Sequence, residues 1–298
     1  MTDAVRPLQE DDLAAAERAS DVTFLDDARR GRRVREPEPA PRSPEASARW
    51  IERMRHYLAT DPGGCWVATD GDGGDGGDIV GFAIAQNRGP LWYLATYGVV
   101  PGHQGRGTGR ALLDATLAHA GDRPGLLIST VHPGATRRYR RAGFTLLPLM
   151  RMVGTVDRRA LPAVAGLRDG TAADVEWMDR LDTARRGAGH GPDHAAMLRT
   201  LRLVVSQDPV ARPGYVYVDD EAGRPALLAA ADPATARDLL WEALAAAHGE
   251  TLVNAVTAAN DWAVDAGLTA RLDIGQEGYL ALRGLPEPTT YLPSGQYL

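Results

Sequence analysis

The stretch GVVPGHQGRGTGR, residues 98–110, stands between an apolar strand-like run, YLATYGVV, and an amphipathic helix pattern, ALLDATLAHA. Gly102, Gly105, Gly107 and Gly109 crowd this turn together with Arg106 and Arg110. Glycines let backbone N–H groups turn inward at close range, and the helix start adds its own unpaired amides and the positive end of its dipole. The combination predicts an anion cradle suited to a diphosphate. Two diphosphate readings fail at once. A Walker A loop needs a lysine, and the chain has none, all 33 of its basic residues being arginine. The same absence removes a pyridoxal Schiff base and any lysine nucleophile. A dinucleotide fingerprint needs G-x-G-x-x-G, whereas Gly105, Gly107 and Gly109 run G-x-G-x-G with no acidic residue placed to hold a ribose.

Composition bounds the remaining readings. The chain has 298 residues, 44% of them hydrophobic, enough for two ordinary cores. A net charge of -6 argues against nucleic acid, whose phosphates require a concentrated positive surface. No charged segment followed by an apolar run opens the sequence and no apolar stretch has membrane-spanning length, so the expectation is a protein without membrane contact. Cys65 is the single cysteine, which fits a reducing cytoplasm. Nothing in the composition speaks to oligomeric state.

The second half repeats the order of the first. RPLQEDDL (6–13) matches RDGTAADV (168–175), ARRG recurs at 28–31 and 184–187, and Asp61-Pro62 and Asp208-Pro209 each precede a strand-like run. RALL (110–113) pairs with RDLL (237–240), LLIST (126–130) with TLVNAV (251–256), and RRAGF (140–144) with VDAGL (264–268). A shared order across six landmarks predicts two domains of similar topology, 1–152 and 153–298, joined near 152–165. Each reads as helices, a strand hairpin, then strand–helix–strand–helix–strand, an α+β (α/β layered) class with a mixed, mostly antiparallel sheet flanked by helices.

Gln104-x-x-Gly107-x-Gly109, preceded by Val99-x-Pro101, resembles the Q/R-x-x-G-x-G/A signature of the GNAT N-acetyltransferase superfamily. HPGATRRYRRAGF (132–144) resembles its second motif, a helix carrying Tyr139 followed by Gly143-Phe144. The two motifs cover roughly residues 3–150, and the repeat makes the whole chain similar to a tandem GNAT protein. The resemblance implies acetyl-CoA as acyl donor, its pantetheine arm pairing with the backbone of Tyr97 to Val99. The pyrophosphate would take amides of Gly105, Arg106, Gly107, Thr108, Gly109 and Arg110, behind Gln104. His132 stands where the family often has a cofactor-contacting asparagine, and an imidazole there would titrate near neutrality.

A GNAT-like reaction needs an oxyanion donor, a proton for the departing thiolate and a neutral amine. The N–H of Tyr97 is the candidate donor, and Tyr139 the candidate acid, since a phenol with a pKa of about 10 stays protonated at neutral pH. The competing role for Tyr139 is simple packing. Many members carry a glutamate base eleven residues before the signature Gln or Arg, and here that position is Tyr93, a weak base. A water chain, a relay through His56, His190 or His194, or an amine of lowered pKa are the alternatives.

The second copy reads AAADPATARDLL at the matching place, with Asp232 and Pro233 instead of a glycine cluster. Proline removes an amide donor and Asp232 puts negative charge where a diphosphate would sit, predicting a degenerate domain that does not bind CoA. The tyrosine of the second motif is also missing there. DGDGGDGGD (70–78) has a superficial likeness to a calcium loop but lacks the bidentate glutamate, so it reads as a hairpin tip. RRGRRVR (29–35) reads as a solvated loop or as an attractant for an anionic acceptor. GAGHGPDH (187–194) has the composition of a metal loop, but His-x3-His among glycines is weak, and no metal is expected. The function that follows is an acetyl-CoA-dependent N-acetyltransferase acting on a small-molecule amine (an amino sugar, amino acid or antibiotic-like metabolite) by direct attack in a ternary complex. A peptide N-acetyltransferase and a non-catalytic CoA-binding regulator are the alternatives.

Overall fold

The computed structural model describes residues 3–32, 37–71, 77–220 and 223–298. Residues 72–76 of the expected hairpin tip and 33–35 of the arginine run lie outside them. In chain order the elements are β1 Ala4–Pro7, α1 Leu13–Gly31, α2 Pro44–Thr60, β2 Cys65–Thr69, β3 Ile79–Arg88, β4 Leu91–Val99, α3 Thr108–Ala120, β5 Gly125–Ser129, α4 Pro133–Arg141 and β6 Thr145–Thr155. The second half supplies β7 Leu167–Asp169, α5 Val175–Arg186, α6 Asp193–Thr200, β8 Arg202–Ser206, β9 Gly214–Asp219, β10 Arg224–Ala230, α7 Pro233–Ala245, β11 Glu250–Val256, α8 Asp261–Thr269, β12 Asp273–Arg283 and β13 Tyr291–Leu292. This is the mixed, antiparallel-dominated α+β architecture that the patterning predicts. Among the described residues no helix is long and apolar enough to cross a membrane.

Two compact units form. The first gathers Met1–Asn87, Trp92–Gly125 and His132–Arg138, the second Arg88–Leu91, Leu126–Val131 and Tyr139–Leu298. In the first, strands run in the order β1-β2-β3-β4. β3 is buried along nearly its whole length, as a central strand covered on both faces must be. Its Phe82 meets Trp50 of α2 edge-on, ring centroids 6.4 Å apart. Trp50, Met54 and Tyr57, spaced i, i+4, i+7, make the apolar stripe that seats α2. Ser43 starts that helix by accepting the N–H of Ala46 at 3.2 Å, with Pro44 at its first position.

In the second unit one sheet runs β13-β10-β9-β8-β7 and a second set of strands runs β5-β12-β6-β11. The latter order is reciprocal. β6, the closing strand of the first copy, pairs antiparallel with β11 of the second copy (Thr251 opposite Gly154) and with β12 (Leu280 opposite Leu147). β12, the closing strand of the second copy, stands beside β5 of the first. Each copy thus gives its last long strand to the other. The join expected near 152–165 falls around the connection from β6 to β7, and residue 152 lies within β6.

The first sequence landmark of the repeat is the same physical device in both copies. Arg6 donates from both terminal nitrogens to Asp12 (2.6 and 2.8 Å), and Asp12 also accepts the N–H of Gln9. Arg168 does the same to Asp174 (2.9 and 2.6 Å), which accepts the N–H of Thr171. Fork-to-carboxylate pairing of this kind is strong because both bonds are charge-assisted. The Arg168 guanidinium is the main cause that holds Asp174 down at about 2. A depressed folded-state pKa adds stability that is complete above the ordinary carboxylate range and is lost as pH falls from about 4 to about 2. Asp174→Asn is therefore expected to lower stability at neutral pH by on the order of 1–2 kcal/mol, a figure reduced because Arg168 is part-exposed, and to flatten the acid limb. Urea unfolding at pH 7 and at pH 2.5 measures both effects.

Candidate active site

Everything at this site begins with the turn from β4 into α3. Gly105 and Gly107 have φ of +82° and +99°, a region costly for any residue with a Cβ, and Gly107 caps α3 in the left-handed conformation. The N–H groups of Arg110 and Ala111 close on the Gly107 carbonyl. No side chain caps the helix. Among the described residues, the N–H groups of Gly105, Arg106, Gly107, Thr108 and Gly109 have no acceptor. Unpaired donors at a helix N-terminus are the kind of group that an anion can satisfy.

Side chains brace the turn from behind. The Tyr97 hydroxyl donates to the carbonyl of Gly109 at 2.7 Å and accepts from Arg138 of α4 at 3.0 Å. Burial pushes the Tyr97 phenol up, with Arg138 opposing, so the hydroxyl keeps the proton this bond requires. Gly109 is glycine for space: a Cβ there would lie 2.6 Å from the Tyr97 oxygen and 2.7 Å from an Arg138 nitrogen. The Gln104 amide donates to the carbonyl of Val99 at 3.0 Å, fastening the end of β4. Thr108 donates through its hydroxyl to Asp3, whose buried carboxylate also lies 3.7 Å from His103. Arg106 is exposed, and Arg110 points outward to Asp114 at 3.3 Å.

His132 is half-buried and starts α4. Its Nδ1 accepts the N–H groups of Gly134 and Ala135 at 3.2 and 3.4 Å, which fixes the Nε2–H tautomer. Tyr139, on the same helix, is 4% exposed and packs edge-on against Phe144 with centroids 6.2 Å apart. Tyr93 is fully buried and meets Tyr57 edge-on at 6.3 Å. It stands four residues before Tyr97 on β4, about 13 Å away along the strand. His56 touches the Tyr57 ring. His190 and His194 are both buried in the second unit around Asp182, where burial, with the charge of Arg186 next, pushes His190 down to about 4. Tyr97, Val99, Gln104 and the loop from Gly105 to Arg110 are therefore brought together in the first unit. Arg138 and Asp3 join them, and sequence reasoning passed over both. Arg138 lies inside HPGATRRYRRAGF, where the motif singles out Tyr139 and not its neighbour, and Asp3 carries no local signal.

The second copy fills the corresponding place with its own atoms. Asp232 accepts the N–H groups of Ala234 and Thr235, both at 2.9 Å, and the Thr235 hydroxyl at 2.7 Å. Burial works against its charge, but these donors hold the carboxyl below the usual range. The strand before it, β10, the counterpart of β4, carries β13 on its edge: Leu228 faces Leu292 and Ala229 faces Tyr291. The Ala230 N–H donates to the carbonyl of Thr290 at 3.0 Å.

The acetyltransferase (GNAT) family model matches residues 27–144. The chain is 31% identical over 264 residues to the mycothiol acetyltransferase of Clavibacter michiganensis subsp. michiganensis, covering 84% of this chain and 79% of that protein. It is 36% identical over 115 residues to the mycothiol acetyltransferase of Propionibacterium freudenreichii subsp. shermanii, a match spanning 35% of this chain and 36% of that relative's length. A candidate acetyltransferase from Pyrococcus horikoshii superposes with a TM-score of 0.74 at 16% identity, over 100% of this chain and 95% of its own. A tandem GNAT protein from the clavulanic acid biosynthesis pathway has a TM-score of 0.51 at 15% identity, over 96% of this chain and 100% of its own.

Proposed function

Because this chain belongs to the GNAT acetyltransferase family, we propose that it transfers an acetyl group from acetyl-CoA to the amine of a small molecule, using the site of its first copy. The observation that carries the reading is the row of five backbone donors, Gly105 to Gly109, at an uncapped helix N-terminus. Such donors fit the pyrophosphate of a CoA thioester without any lysine. The exposed Arg106 adds charge at the mouth, and Arg138 adds it beside the first turn of α3. The thioester supplies an activated acyl group.

In this reading the N–H of Tyr97 stabilises the developing oxyanion, and a fixed strand amide does so with little reorganisation. The Tyr139 hydroxyl gives its proton to the departing thiolate as the carbon–sulfur bond breaks, and the proton shed by the attacking amine restores it. His132 holds the start of α4, and so sets the position of Arg138 and Tyr139 on that helix. No carboxylate stands at Tyr93, so the amine reacts in its neutral form, and the rate is expected to rise with pH toward the amine's own pKa. The relatives named mycothiol acetyltransferases support a small amine, and a mycothiol-type amine is the first acceptor to try. Residues 1–152 hold the donor site on this view, while 153–298 form a degenerate copy whose cradle is closed by Asp232 and β13. A CoA-binding regulator without turnover is the second reading, favoured by Tyr93 being sealed in the core.

Calorimetry with acetyl-CoA is expected to give about one site per chain. Gly109→Val is expected to raise the Kd about tenfold, because its side chain displaces the Tyr97–Arg138 brace, whereas Asp232→Asn leaves affinity and stoichiometry unchanged. Two sites, or an unaltered Gly109→Val, would overturn the assignment. Thiol release from acetyl-CoA over a panel of small amines then separates enzyme from regulator, since saturable binding with no turnover on any amine selects the latter.

A further inference from the structure

We propose that a cavity of about 250 Å³ in the second unit binds a small aliphatic α-amino acid. Its walls are the first half of β10, Leu252 and Asn254 of β11, and the segment 292–296. A dry cavity of about 150 Å³ holds benzene, so this one has room for a molecule the size of leucine. The observation that carries the proposal is a set of hydrogen-bond donors whose acceptor sides are already used. Ser294 is 6% exposed, and its hydroxyl oxygen accepts the N–H groups of Gln296 and Tyr297 at 3.1 and 3.2 Å. Asn254 accepts the N–H of Ala255 at 2.7 Å, which fixes its Oδ1 there and turns its NH2 group the other way. Arg224 Nε lies 3.8 Å from Oδ2 of Asp219, beyond hydrogen-bonding distance. Among the described residues, no atom accepts the Ser294 O–H, the Asn254 NH2 or the Arg224 guanidinium.

Three donors lining one cavity, one of them cationic, call for a ligand with paired acceptor oxygens, and a guanidinium fork matches a carboxylate. Asp219 sets the rest of the ligand. It also lines the cavity, directly across the β9–β10 ladder from Arg224. One cation and one carboxylate leave the lining without net charge, so a zwitterion matches it better than a bare anion. Arg224, Asn254 and Ser294 then serve the carboxylate of the amino acid, and Asp219 its ammonium. The side chains of Arg224 and Asp219 are 42% and 26% exposed, which sets these charges toward the mouth. Leu201, Leu227, Leu252 and Leu292 supply an apolar surface for an aliphatic side chain. No aromatic ring stands among the described residues of the lining, so nothing there would stack a nucleotide base. The sequence builds this arrangement locally. Leu252 and Asn254 are two residues apart on β11 and so share a face. The pairing of β11 with β6 then shifts at a bulge between Val253 and Val256, where Ala255 has φ of +58°. Bulges re-aim side chains, and this one supplies the N–H that locks the Asn254 amide.

Calorimetric titration of the full-length protein with L-leucine, without acetyl-CoA, is expected to show about one site per chain with a Kd below about 1 mM. 4-Methylpentanoate, which lacks the amine, and 3-methylbutylamine, which lacks the carboxylate, should each bind at least about tenfold more weakly. Arg224→Gln should weaken L-leucine by about 10–100-fold, the range for a hydrogen bond to a charged group, while the Kd for acetyl-CoA stays within about twofold. Asn254→Leu, which removes the amide and fills the cavity, should abolish binding. If Asn254→Leu fails to fold, Arg224→Gln, at a part-exposed side chain, decides alone. No saturable heat with L-leucine up to about 10 mM would overturn the proposal. Equal affinity of wild type and Arg224→Gln would overturn it too, and is the result if L-leucine binds elsewhere as an acetyl acceptor. 4-Methylpentanoate binding as tightly as L-leucine would remove the role of Asp219, and with it the amino-acid assignment.

Discussion

Tyr139→Phe is expected to lower kcat/KM for acetyl transfer by about 100-fold while leaving the Kd for acetyl-CoA within about twofold, since a positioned general acid contributes a factor of 10²–10⁴. The substitution removes one oxygen from a side chain that is 4% exposed and packs edge-on against Phe144. The ring and its packing survive, so the fold and donor site should too. The loss should sit in kcat rather than KM, because in the proposed role the hydroxyl acts on the departing thiolate and not on the bound thioester. Amines reacting with a donor whose leaving thiol is more acidic should lose less. Steady-state rates with two acyl thioesters of different thiol pKa measure this. Equal rates for wild type and Tyr139→Phe would leave Tyr139 a packing residue.

Asp193→Ala is expected to destabilise the protein by about 3–5 kcal/mol, the cost of leaving a buried charge without its partner. Arg88 donates to Asp193 through Nε at 2.8 Å and Nη2 at 2.7 Å, and the two side chains are 4% and 0% exposed. With the carboxylate gone, the buried guanidinium loses the counter-charge that accepts two of its hydrogen bonds. The pair itself is worth far less than that figure, because both ions were desolvated to make it. Arg88→Met combined with Asp193→Leu should therefore recover most of the loss. Urea midpoints for the two single variants and the double variant give the coupling, and additive losses would show that the two side chains do not depend on each other.

What could be read in advance depended on distance along the chain. The turn was legible because its information is local: glycine spacing, the missing lysine and the apolar runs on either side lie within a few residues. The repeated Arg–Asp staple was visible as a pattern, RPLQEDDL against RDGTAADV, though its bidentate geometry was not. The partners that hold the turn from behind were not legible. Arg138 reaches Tyr97 across forty-one residues and Thr108 reaches Asp3 across one hundred and five, and neither pairing has a spacing rule. Gln104 is expected at the cofactor from its motif, whereas the hydrogen bond of its amide to the Val99 carbonyl is decided by the shape of the loop. The sheet order was hidden for a similar reason. Alternation identifies a strand and the face it buries, but not which strand becomes its neighbour. Nor did His-x3-His among glycines reveal that two aspartates one turn apart on the preceding helix face the second histidine.

The mutual gift of closing strands has a historical consequence. When a gene duplicates, a copy that loses its ligand site is normally free to be deleted. In this chain β11 is lined by β6 and β5 by β12, so removing either copy would strip a neighbour from the other and bare an apolar sheet edge to water. The second copy is thereby tied to the first by folding, while its turn from β10 into α7 takes no part in that pairing. Fusion of the two copies in one reading frame is then an irreversible step, since neither lineage can return to a single-copy ancestor by deletion alone.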